Sequence, residues 1–127
     1  MKILLTLFVL FFSSSSWGEW TFIASTDRGD SYFVDLETIK KQKAYVYYWE
    51  LVDYVIPIQD IAYSSKNYIV TDCNLLGFKY LQDIYYSEPM GKGNIIHSSN
   101  IPDTEWRFNS PESTGVAELK RVCDFTN

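Results

Sequence analysis

The stretch Lys43–Val55, KAYVYYWELVDYV, decides the fold. In an extended chain successive side chains point to opposite sides. Tyr45, Tyr47, Trp49 and Leu51 fall on one side, and Ala44, Val46, Tyr48 and Val52 on the other, with Glu50 among them. Aromatic and β-branched residues suit a pleated, half-buried surface. With both sides largely apolar, the segment reads as a central strand, covered on one side and partly covered on the other.

The neighbouring segments fall into place around it. WTFIAS (Trp20–Ser25) and DSYFVDL (Asp30–Leu36) read as two strands of a hairpin, with TDRG between them supplying turn residues. ETIKKQK is polar and has room for one helical turn. SSKNYIVTDC (Ser64–Cys73) is a strand that puts Cys73 on the same side as Ile69 and Thr71. FKYLQDIYY (Phe78–Tyr86) is another, followed by the turn SEPMGKG, where Gly91 and Gly93 tolerate positive φ. NIIHSS and TEWRF are short strand candidates. The last element differs in period. In SPESTGVAELKRVC, Val116, Leu119, Val122 and Cys123 recur at helical spacing. Ser110 is placed to cap that helix and Pro111 to open it, and Lys120 and Arg121 sit toward its C-terminal end, where the helix dipole favours cations. The expected fold is α+β: an antiparallel sheet of about five to six strands with one C-terminal helix packed on it.

The first residues, MKILLTLFVLFFSSSSWGEW, have the parts of a secretory signal. Lys2 is the charged region, Ile3–Phe12 the apolar run, and Ser16 and Gly18 the small residues before a cut after Gly18. The apolar run is far shorter than the ~20 residues that span a bilayer. No cysteine follows it, which argues against lipid attachment of the bacterial lipoprotein kind. Removing 18 of the 127 residues leaves 109, the size of a single domain, Glu19–Asn127. The formal charge of −5 becomes −6 on loss of Lys2, which disfavours nucleic acid and anionic lipid as partners. The two cysteines, Cys73 and Cys123, are even in number in an exported chain and read as one disulfide.

Little catalytic chemistry is spelled out. His97 is the only histidine, and IIHSSN carries no nucleophile–base signature around it. One histidine and a bridged cysteine pair leave no zinc site. TDRGDS lacks the acidic ladder of a calcium loop, and MGKGN lacks the pattern of a phosphate loop. The expectation is a protein without catalysis and without a cofactor. The Tyr-rich strands are core in the ordinary case, but Tyr and Trp also make binding platforms. Arg28-Gly29-Asp30 is the tripeptide that integrins read on matrix proteins. Displayed on a tight turn, its cation and anion can bridge an acidic pocket and a receptor's metal ion. The same letters also make a good hairpin turn with no ligand. Arg28, Gly29 and Asp30 are therefore a candidate ligand loop.

Several landmarks occur in order along the chain: Trp20-Thr-Phe-Ile, YFVDLETI, VYYWELVDY, SSKNYIVTDC, YYSEPMGKG and WRFNSPESTGVAELKRVC. On these the chain from Trp20 to Cys123 resembles the surface-adhesin protein E family of Gram-negative bacteria. The resemblance implies an exported domain built on an antiparallel sheet with a C-terminal helix, and a disulfide between the two landmark cysteines. It also implies a surface role in binding host extracellular-matrix or serum proteins. The alternative is a soluble periplasmic protein with a structural, inhibitory or accessory role. The location expected is the periplasm or the outer cell surface, with the oligomeric state, a dimer included, left open.

Overall fold

The computed structural model describes residues 19–127, so the signal-like segment and its cleavage site lie outside the described residues. The chain runs through β1 (Trp20–Ser25), β2 (Ser31–Asp35), a 3-10 turn (Leu36–Thr38), β3 (Lys40–Gln42), β4 (Tyr45–Ile58), β5 (Ala62–Asp72) and β6 (Gly77–Glu88). A second 3-10 turn (Pro89–Gly91), β7 (Lys92–Ser99), β8 (Arg107–Phe108) and α1 (Thr114–Phe125) complete it. All strand pairs are antiparallel in the order β1-β2-β4-β5-β6-β7, with β3 paired to β4 and β8 to β6. Six of the strand segments read from the sequence form the main path, TEWRF supplies β8, and β3, inside ETIKKQK, is the short strand that the sequence reading did not separate, so the sheet of the described residues has eight strands where about five to six were expected.

The Lys43–Val55 segment lies at the centre, as its two apolar sides require. β4 pairs with β5 from Tyr45↔Asp72 to Asp53↔Ser64 along one edge. The other edge is divided between β2, opposite Glu50–Asp53, and β3, opposite Tyr45–Tyr47. The 3-10 turn carries the chain from one to the other, and the Asp35 carboxylate accepts the Glu37 N–H at 3.0 Å to start it. Both outer strands have broken registers: β1 shifts against β2 between Phe22 and Ala24, and β7 shifts twice against β6.

The helix covers the side of β4 that carries Val46 and Tyr48. Val34, Val46, Tyr48 and Ile69 pack against Val122 and Cys123 of α1, and Leu119 is buried with them. The Cys73–Cys123 disulfide ties the end of β5 to the helix across a separation of 50 residues. The helix starts later than Ser110-Pro111 suggests. Glu112 adopts φ 62°, which breaks any helical continuation, and Ser113 is the cap, its hydroxyl accepting the Val116 N–H. It also runs on to Phe125, so Lys120 and Arg121 stand in its middle and its last turn has no basic residue.

Two carboxylic acids are sealed into this layer. Glu50 of β4 and Glu118 of α1 are each 3 % exposed. The Tyr48 hydroxyl donates to Glu118 Oε2 at 3.0 Å, and Asn67 Nδ2 donates to Glu50 Oε1 at 2.7 Å. Burial pushes both acids above the ordinary carboxylate range, and the nearby charge of Glu50 pushes Glu118 further still. The two acids interact, so the pair keeps a proton that an exposed carboxylate would have lost.

Candidate functional site

The tripeptide loop is built inward. Gly29 takes φ 103°, a conformation that suits glycine. The Gly29 N–H donates to the Thr26 carbonyl at 2.9 Å, and the Thr26 N–H to the Asp30 carbonyl at 2.8 Å. Asp30 is only 5 % exposed. Its carboxylate accepts the Val55 N–H at 2.9 Å and the Arg28 guanidinium at 3.0 Å, while the Arg28 side chain itself stays exposed. The acid thus latches the β1–β2 turn onto the end of β4, and the cation and anion are spent on each other. Asp30→Ala is expected to lower stability by about 1–2 kcal/mol, because it strips the Val55 N–H of its charged acceptor and leaves Arg28 without its partner. Urea denaturation measures this, and a change below about 0.5 kcal/mol would mean that the latch holds nothing.

The other candidate is the face of the sheet turned away from the helix. Tyr45, Tyr47 and Trp49 of β4 and Tyr68 of β5 project there because they alternate with the core residues Val46, Tyr48 and Ile69. The rings form two groups on this face. Trp49 and Tyr68 have centroids 5.0 Å apart, Tyr47 and Tyr68 6.3 Å, and Tyr45 and Trp106 5.5 Å. The Lys79 ammonium lies over the Trp106 ring at 4.6 Å, a favourable cation–π geometry. Lys40, Lys41 and Gln42 of β3 border a shallow depression of about 550 Å³ floored by Tyr47 and Tyr68. Burial, with Tyr47 beside it, raises the Tyr68 hydroxyl above its ordinary value, so it stays a neutral donor. Past Trp49 the face is closed by the Pro89–Gly91 turn, where the Met90 N–H donates to Asp53 at 2.7 Å and Gly91 sits against Lys66 and Leu51.

The acids of this face are occupied with backbone: Asp53 with Met90, Asp35 with Glu37, and Asp72 with the N–H groups of Asn74 and Leu75. The patch therefore presents aromatic rings and lysines on a chain of formal charge −5. The sequence pattern placed Tyr45, Tyr47 and Trp49 on one side. It carried no signal that Trp106, from the segment before β8, would join them.

His97 is exposed on β7, beside Tyr85 and at the rim of a cleft of about 520 Å³ that Asp83, Ile58 and Ile61 also line. Among the described residues no three His, Cys, Asp or Glu side chains gather as a metal site. No helix of the described residues is long and apolar enough to cross a membrane.

A disulfide-tied helix lies on one side of an antiparallel sheet, and aromatic rings that the helix leaves uncovered lie on the other. The chain belongs to the surface-adhesin protein E family, whose sequence profile matches residues 20–124. Solved structures bear the same fold. Haemophilus influenzae protein E in its crystal form II superposes with a TM-score of 0.65 at 16% identity, over 89% of this chain and 94% of that one. Another Haemophilus influenzae protein E structure gives 0.62 at 14% identity, covering 87% of each chain. Protein E from non-typeable Haemophilus influenzae gives 0.57 at 14% identity, over 87% of this chain and 80% of that one. No curated protein sequence matches the chain.

Proposed function

We propose that the mature chain, Glu19–Asn127 after removal of residues 1–18, is an exported, non-catalytic binding module that holds a protein partner on the open face of its sheet. The partner class implied by the family is a host extracellular-matrix or serum protein. The observation that carries this reading is the Tyr47–Tyr68–Trp49 cluster, half-buried and uncovered by the helix, whereas the acid of the tripeptide loop is turned inward. Tyrosine and tryptophan dominate the energetics of protein interfaces, because they combine a large apolar area with a polar tip and lose little rotamer freedom.

The test uses the mature chain against immobilised matrix and serum proteins. Trp49→Ala combined with Tyr68→Ala is expected to weaken binding at least tenfold, consistent with about 2 kcal/mol for one interface anchor. Arg28→Ala, which removes the exposed half of the tripeptide, is expected to leave binding unchanged. The opposite pattern would move the contact to Arg28–Asp30. Protease shaving of intact cells, with a periplasmic marker as control, assigns the location: cleavage with the marker protected supports the adhesin reading. Protection until the outer membrane is opened overturns it in favour of a periplasmic accessory role.

A further inference from the structure

A second concavity lies between α1 and the sheet, away from the open face. Its volume is about 90 Å³, the room of about three water molecules. Its walls are aromatic: Tyr32 of β2, Tyr48 of β4, and Phe78 and Tyr80 of β6, the last two set edge to face at 5.5 Å. Glu50 and Glu118 also line it, and among the described residues no lysine or arginine does. Glu118 is 97 % buried by the exposure given above, yet its Oε1 has no hydrogen-bond donor among the described residues. Asn109 stands at the cavity against Gly115 in the first turn of the helix, and a side chain at 115 would collide with it. Aromatic walls with an acid at the base are the chemistry that recognises methylated ammonium groups, by cation–π attraction and charge pairing.

We infer that this cavity binds a small organic cation, a methylated or primary ammonium group, with Tyr32, Phe78 and Tyr80 as its walls and Glu118 with Glu50 as its counter-charge. This site is separate from the open face and does not rest on the binding role proposed above. The cation takes the place of the proton that the two acids otherwise share, so binding releases a proton and tightens as the pH rises. The groups facing the pair from each packed element leave it to dominate that dependence. Tyr32 from β2, Tyr48 from β4 and Tyr80 from β6 are held neutral by burial, with Tyr32 pushed up to about 12. From α1, Glu118 is the titratable residue that lines the cavity, beside Gly115 and Leu119. Arg28 and Asp30, which act on Tyr32 from the loop, are paired with each other, and Arg107, over the Tyr80 ring at 5.1 Å, is paired with Asp103.

The experiment is a titration of the mature chain, followed by amide NMR and calorimetry, with tetramethylammonium and methylammonium chloride, against sodium chloride at equal ionic strength. Tetrapropylammonium, too large for the cavity, is the size control. The expected result is saturable shifts at Tyr32, Tyr80 and Gly115 for the two small cations only, with affinity at least threefold higher at pH 8 than at pH 5. Glu118→Gln, near-isosteric and able to keep the Tyr48 hydrogen bond, is expected to reduce affinity at least tenfold and to abolish the proton release. Should that variant fail to fold, Gly115→Ala, which displaces Asn109, is expected to change affinity at least threefold in either direction. Shifts that sodium chloride reproduces, or saturation that neither variant alters, would overturn the site and leave the cavity a pocket for water.

Discussion

Replacing Cys73 and Cys123 together by alanine lowers the stability of the mature chain by about 4 kcal/mol, the loop-closure entropy of a bridge spanning 50 residues. A domain of this size has in all about 5–15 kcal/mol of stability, so the loss is a large fraction of it. The helix explains why the effect is not softened elsewhere. α1 buries Glu118, Leu119, Val122 and Cys123, a narrow stripe of which Cys123 is itself a member. Without the bridge, α1 is held to the sheet mainly by Leu119, Val122 and the Tyr48–Glu118 hydrogen bond. Urea denaturation of the oxidised and alanine forms gives the difference, and hydrogen exchange in Val116–Phe125 should rise before exchange in β4 and β5. A loss under 1 kcal/mol, or uniform exchange, would show that packing alone seats the helix.

The second large effect is on pH dependence. Glu50 and Glu118 are both raised, Glu118 well above the ordinary carboxylate range, with burial as the first cause for each. In the unfolded chain both ionise near pH 4.5, whereas the folded pair keeps a proton above that point. The folded state therefore binds more protons there, and stability falls as the pH rises. The contribution is fully present below the unfolded carboxylate value and is lost as the pH passes through the folded one. Each unit of elevation is worth about 1.4 kcal/mol, or about 5 °C of melting temperature in a domain of this size. Melting curves between pH 5 and pH 8 should fall for the native chain and flatten for Glu50→Gln with Glu118→Gln. An equal slope in both would remove the pair as its source.

The buried pair is also where polarity misleads a reader of the sequence. Glu50 alternates with Val46, Tyr48 and Val52, and Glu118 lies beside Leu119 and one turn before Val122. Position placed both acids on core-facing sides, while their charge suggests solvent. In the fold, Tyr48 and Asn67 supply the hydrogen bonds that let position win. The main sheet was legible because β4 and β5 are long and strongly patterned. β8 was legible only as part of TEWRF, and β3 was not legible, since three polar residues, Lys40–Gln42, leave no period to read. The helix start was misplaced because Ser110-Pro111 and Ser113 are both good opening signals, and only the φ of Glu112 separates them. For the candidate site, the alternation of Tyr45, Tyr47 and Trp49 was visible. The inward turn of Asp30 was not, because its partner Val55 is 25 residues away in the chain.

The broken registers at the two rims of the sheet bear on what the protein does at high local concentration. β1 and β7 are the end strands of the main path, and straight free strands invite a further strand from another chain. Bulges twist such rims away from the flat geometry that edge-to-edge stacking needs. Copies of this domain brought close together are thereby kept from zipping into fibres with one another through these two rims.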